Sequence, residues 1–293
     1  MILFAVAALL QAAVSGDSVI RAKAGTSEIV LRTTQRLAGA IDSLTWGGRE
    51  FIDSVDHGRQ LQSASNLDAG SPISAETYNP TEAGSRDDGA GPTSSSRLLS
   101  LRAEGAVLET KSRMAFWLKP GAKSGKNPAK NATILSEHLL AKRVTIGFRD
   151  LPQVVEYVAT FTLPAGEKHA QAVFEAVTGY MPAEFSRFLV YDPATKSARP
   201  LSDGPGEQTL PVILSTESGS HAMGILSPDP GPGYGRFRFE REKVVKWNCV
   251  FRVTRADGIP PGDFTYRAYI PVGTLDDVVA ALGRLREHFG ERR

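Results

Sequence analysis

The sequence predicts an all-β fold: a large antiparallel β-sandwich with a C-terminal α-helix. Three observations predict it. Apolar and polar residues alternate in many short segments, as in VVEYVATFTL at 154–163 and FTYRAYIPV at 264–272. That period of two marks strands with one buried face. Clusters of Gly, Pro and Asp separate the segments, as in AGEK, SPDPGPGYG and ADGIPPGD. Helical periodicity is confined to the chain end, so no βαβ rhythm supports a parallel sheet.

The elements follow in order. Strand patterns fall at 28–31, 38–44, 98–101, 107–117, 139–148, 154–163 and 171–178, then at 188–191, 209–214, 222–226, 237–239, 247–253 and 265–272. They amount to about thirteen strands. Two stretches, 63–97 and 119–137, carry no strand pattern and read as long loops, a length that usually signals function or disorder. Thr274 and Asp277 have capping-box spacing, and Leu275, Val278, Val279, Leu282 and Leu285 then share one helical face. Neither long loop divides the chain into self-contained halves, so 17–293 reads as a single domain.

Residues 2–14, ILFAVAALLQAAV, form an apolar run shorter than the roughly 20 residues of a spanning helix. With the small residues that follow, residues 1–16 read as a signal peptide, although no Lys or Arg precedes the run. The expected location is therefore periplasmic or extracellular, with no membrane span in the remainder.

Composition narrows the function. The 293 residues carry 34 Lys plus Arg against 32 Asp plus Glu, a net charge of +2. A dedicated nucleic-acid binder would carry a basic surplus. One cysteine, Cys249, rules out a disulfide framework and a cysteine zinc site, and its apolar neighbours suit a buried packing role. No HExxH, GxSxG or phosphate-loop pattern occurs. Arg86-Asp87-Asp88-Gly89 has hard oxygen ligands but lacks calcium-loop spacing. No metal or cofactor is expected, and the oligomeric state is left open.

Two segments carry the candidate chemistry. The first, DHGRQLQ at 56–62, groups an imidazole, a guanidinium and amides; Gln60 and Gln62 fall on one side of a strand. Arg59 and Gln62 offer directional hydrogen bonds to hydroxyls or a carboxylate, and His57 is a proton carrier near neutral pH. The second, ETYNPTEAG at 76–84, turns at Asn79-Pro80 and presents Tyr78, Asn79 and Glu82. His57 and Glu82 are the acid–base candidates. Arg59, Gln62, Tyr78, Asn79 and His138 are the binding candidates. His169 and His221 lie near turn signals and read as exposed. Trp117 and Trp247 read as core. Tyr180 to Phe185 reads as a strand-ending loop with exposed aromatics, and Lys246-Trp247-Asn248 as a site edge or an amphipathic strand.

Gly39-Ala40-Ile41, Leu44-Thr45-Trp46-Gly47-Gly48 and Gly58-Arg59 together resemble the galactose mutarotase-like superfamily. That resemblance implies a supersandwich whose concave face binds sugars. The family's histidine motifs are not matched in this chain, so its catalytic roles are not carried over. The expected partner is a saccharide or glycan, with epimerisation, β-elimination or hydrolysis as the chemistry; a non-catalytic glycan-binding module or a structural envelope protein is the alternative.

Overall fold

The computed structural model describes residues 14–70 and 72–290. Most of the predicted signal segment, residues 1–13, lies outside the described residues. The described residues are all-β, with 19 strands joined in one antiparallel hydrogen-bonded network and, among those residues, a single α-helix, Leu275–Gly290. Among the described residues no helix is long and apolar enough to cross a membrane.

The ladders run in two layers. One passes from Arg97–Glu104 through Val107–Phe116, Leu135–Phe148 and Leu151–Leu163 to Gly262–Gly273. The other passes from Ser18–Ala24 through Ser27–Thr34, Ala40–Trp46, Leu61–Leu67, His169–Pro182 and Val244–Ile259 to Gly233–Phe239. Two hairpins cross between layers, one through residues 164–168 and one through 260–261. The short strand Pro80–Thr81 bridges the layers by pairing with both Leu61–Leu67 and Val107–Phe116.

The alternation read from the sequence places the core. Tyr157, Ala159, Phe161 and Leu163 point inward from the first layer, and Phe174 from the second meets Phe161 with centroids 5.1 Å apart. Trp247 and Cys249 are fully buried, as expected. Burial pushes the Cys249 thiol far above its ordinary range. The Trp247 ring lies against Gly179 of the paired strand, where a Cβ would sit 2.6 Å from the indole. The glycine is needed there for space.

The expected loop at 63–97 begins too early. Ser63 to Leu67 belong to a strand. The segment SASNL shows little apolar alternation because its inward residues include serines. Ser63 Oγ donates to Ala176 O at 2.7 Å and meets the Tyr157 hydroxyl at 2.9 Å, so a small polar residue fills a core position at little cost. The 119–137 stretch contains a two-residue hairpin, Lys123–Ser124 with Asn127–Pro128, and yields to strand at Leu135.

The terminal helix begins as its sequence predicts. The Asp277 amide donates to Thr274 Oγ1 at 3.2 Å, and the Thr274 amide donates back to Asp277 Oδ2 at 3.1 Å. Val278, Ala281, Leu282 and Leu285 bury the apolar stripe against Leu189, Ile213 and Ala222.

Candidate functional site

The sequence-derived candidates occupy four environments. His57 is fully buried, and its ring nitrogens face two backbone carbonyls, Gly89 O at 2.7 Å and Arg36 O at 2.9 Å. Neither nitrogen is presented to a ligand. Glu82 is buried between the layers, ion-paired with Lys142 and accepting the Ser63 amide at 3.0 Å. Lys142 also sits over the Tyr157 ring, 5.6 Å from its centroid. Asn79 is buried and donates to Ser65 O. These three side chains hold strands and loops together. His57 and Glu82 share no hydrogen-bond partner, so the expected acid–base pair is not assembled.

Gln62 leads to a different surface. In the ladder Gln62 opposes Thr178, Thr178 opposes Asn248, and Asn248 opposes Gly235. Directly opposed residues share a face. One step along, Tyr180 opposes Lys246 on the same face, with Gln60 beside it. This is the side of the second layer turned away from Trp247, Cys249 and the core. Tyr180, Lys246, Asn248 and Glu175 are half-buried, and Thr178, Gln60 and Gln62 are buried. The face is therefore recessed.

Its polar groups are arranged unevenly. Gln60 and Gln62 donate their amide nitrogens to Asp56 O at 3.2 Å and Gly58 O at 3.3 Å. That leaves Gln60 Oε1 and Gln62 Oε1 buried without a partner, and Asn248 Oδ1 likewise. Thr178 Oγ1 donates to Glu175 Oε2 at 2.8 Å. A Cβ at Gly235 would lie 2.2 Å from Asn248 Oδ1, so the missing side chain keeps space for that amide. Arg59 stands at the rim, with side-chain exposure of 13%, ion-paired with Asp56 at 2.6 Å and Asp53 at 3.5 Å. Farther along the face, Arg252 grips Glu207 through two contacts of 2.8 Å.

Lys246 supplies the charge. Its ammonium lies 5.3 Å from the centroid of the Tyr180 ring and 5.9 Å from that of Phe239, and it makes no ion pair among the described residues. Burial works to lower its pKa, but Tyr180 and Glu175 outweigh that and hold it above the ordinary lysine value. Burial raises the Tyr180 phenol despite the neighbouring ammonium. At neutral pH the face thus carries a protonated phenol beside a cation.

Tyr78 and His138 meet elsewhere, at the end of the sandwich where residues 164–168 cross between layers. Tyr78 is hydrogen-bonded to Glu167. His138 Nε2 and His169 Nε2 lie 2.8 and 2.9 Å from Glu167 Oε2. Burial alone would raise Glu167, but the hydrogen bonds from His138 and His169 dominate and hold its carboxyl well below the usual range.

His169 is 5% exposed, against the exposed position its turn signals suggest. The turn itself carries it inward at the layer crossing. Phe185 is also buried, packed on Phe51 with centroids 4.9 Å apart, while Tyr180 of the same segment lines the recess. Glu175, Thr178, Glu167 and His169 carried no motif. The only available signal was polar residues at inward or facing positions of strands otherwise rich in apolar residues.

No protein-family model and no curated protein matches the sequence. Solved structures do match in fold. An α-mannosidase from Enterococcus faecalis V583 aligns with a TM-score of 0.53 at 9% identity, over 92% of this chain and 31% of that chain. A galactose mutarotase related enzyme from Lactobacillus acidophilus aligns at 0.48 and 10% identity, over 88% of this chain and 98% of that one. An α-galactosidase from Lactobacillus brevis aligns at 0.47 and 9% identity, over 90% of this chain. The chain spans 40% of the length of that α-galactosidase. The first of these shares the fold of this chain over the aligned span.

Proposed function

We propose that the chain is an exported carbohydrate-active protein that binds an acidic saccharide in the recess formed by Gln60, Gln62, Thr178, Tyr180, Lys246 and Asn248. The observation that carries this reading is the set of partnerless amide oxygens on one face. An unsatisfied buried acceptor costs about 1–3 kcal/mol. The three oxygens are themselves buried, so they meet sugar hydroxyls, which are donors, only when the half-buried Tyr180, Lys246 and Asn248 side chains move aside. Tyr180 adds an aromatic ring for a pyranose face. Lys246 adds a charge that suits a uronate carboxylate, whereas Arg59 is already neutralised by Asp56 and Asp53. The fold is one that an α-mannosidase carries over part of its length, which is consistent with a sugar ligand.

The same groups supply a proton-transfer repertoire. Glu175 is a carboxylate, Tyr180 a neutral acid, and Lys246 neutralises a substrate carboxylate before a neighbouring proton leaves. That set fits β-elimination better than hydrolysis, because hydrolysis requires two carboxyl groups flanking the bond and the recess offers Glu175 as its half-buried one. The test is thermal stabilisation across oligouronates and neutral oligosaccharides, with release of unsaturated sugar followed by absorbance. Stabilisation by uronates, weakened in Lys246→Met, supports the reading. No stabilisation by any saccharide rejects it; stabilisation without product leaves a binding module.

A further inference from the structure

The layer crossing carries a second cluster, independent of the saccharide recess. His138 Nε2, His169 Nε2 and a Glu167 carboxylate oxygen all lie within 4.8 Å of one another, and both nitrogens point at the same oxygen. We propose that these three side chains form a binding site for a first-row divalent cation, zinc fitting best, with a fourth position open to water.

The hydrogen bonding argues for a cation. His169 Nδ1 faces the Asp68 carbonyl, which only accepts, so Nδ1 carries the proton. Without a metal, a second ring proton on Nε2 donates to the carboxylate oxygen 2.9 Å away. A divalent cation can take that proton's place, because both Nε2 atoms face the same carboxylate oxygen. The carbonyl contact is also the outer support that fixes the tautomer and ring plane of a metal-binding imidazole. Asp68 is itself anchored, its carboxylate accepting the Ala170 amide at 3.0 Å and the Gln171 amide at 2.9 Å.

The two nitrogen–oxygen distances and the ligand types agree. Zinc bonds of about 2.0–2.1 Å in tetrahedral geometry separate ligand atoms by roughly 3.3 Å. The observed 2.8 and 2.9 Å need a widening of a few tenths of an ångström. Glu167 can provide it, since it lies in the crossing turn and its side chain is 22% exposed. Two imidazoles and one carboxylate suit zinc, and three protein ligands leave one coordination position vacant. The rings of Phe116 and Tyr78 wall the inner side. Residues 29 and 31 positions apart in sequence converge because a strand and the following hairpin bring them to one end of the sandwich.

The test uses the full chain without a histidine tag, stripped with chelator and titrated with zinc and with cobalt. Expected results are one equivalent of zinc per chain by elemental analysis and a visible cobalt spectrum of nitrogen and oxygen coordination. Both should be lost in His138→Gln and in His169→Gln and retained in Gln62→Ala. Should either histidine variant misfold, Glu167→Gln, at a partly exposed position, gives the same reading. Folded wild-type protein that takes up neither ion stoichiometrically overturns the proposal, as does unchanged uptake in the variants. The saccharide reading stands or falls separately, because Gln62→Ala affects that recess alone.

Discussion

Replacing Glu82 by Gln should destabilise the protein severely, because the Glu82–Lys142 pair is sealed between the two layers. The side chains are 2% and 1% exposed. The substitution keeps an oxygen for the Ser63 amide but removes the charge facing Lys142. The ammonium then retains only the Tyr157 ring, 5.6 Å away. Breaking one side of a buried pair costs about 3–5 kcal/mol. Glu82→Ala should cost a further ~1–3 kcal/mol by stranding the Ser63 amide. Joint replacement of Glu82 and Lys142 by Met should recover most of the loss, since it leaves no unpaired charge. Against a total stability of about 5–15 kcal/mol, these are large effects. Urea unfolding at equilibrium, with the denaturant slope checked for constancy, measures all three variants. Glu82→Gln within about 1 kcal/mol of wild type would refute the reasoning. Wild-type stability combined with lost turnover would return Glu82 to the acid–base role suggested by its sequence.

Four further outcomes are expected. Asp42 has a buried oxygen without a partner, and burial raises its pKa. A raised carboxyl favours the folded state below about pH 3.9 and loses that advantage as pH rises through the folded value; Asp42→Asn should therefore raise the melting temperature at pH 7, and the gain should vanish in acid. Gly179→Ala should destabilise by about 1–3 kcal/mol, read by urea unfolding, because its Cβ would press on Trp247. Cys249 should resist thiol reagents in the native protein and react fully in denaturant, since it is completely buried. If residues 1–16 are a signal peptide, mass spectrometry of protein recovered after export should find a chain starting near Asp17.

Much of the fold was legible in the sequence, because strands with one buried face write their period into the residue order. The capped helix at Thr274 was legible for the same reason: its cap and stripe are local. Ser63 to Leu67 were not, because a serine can occupy a core position once backbone carbonyls and a tyrosine satisfy it. The proposed recess was partly legible. Arg59, Gln62, Tyr180 and Lys246-Trp247-Asn248 each drew attention, yet nothing local joins positions more than a hundred residues apart. Register does that, by setting Gln62, Thr178 and Asn248 in one row. His57 had the right chemistry for a site, but backbone carbonyls occupy both its nitrogens, a contact no residue pattern encodes. The His138, Glu167 and His169 cluster was hidden in the same way, since the AGEK turn looked like an ordinary surface hairpin.

The central claim is that a saccharide occupies the recess on the face of Gln62, Tyr180, Lys246 and Asn248. Isothermal titration of an oligouronate into wild type, Lys246→Met and Asn248→Ala, with His138→Ala as a control away from the recess, tests it most directly. Saturable binding in wild type and the control, lost or strongly weakened in the two recess variants, is the predicted result. Binding that survives both recess substitutions, or its absence from folded wild type, would contradict the account.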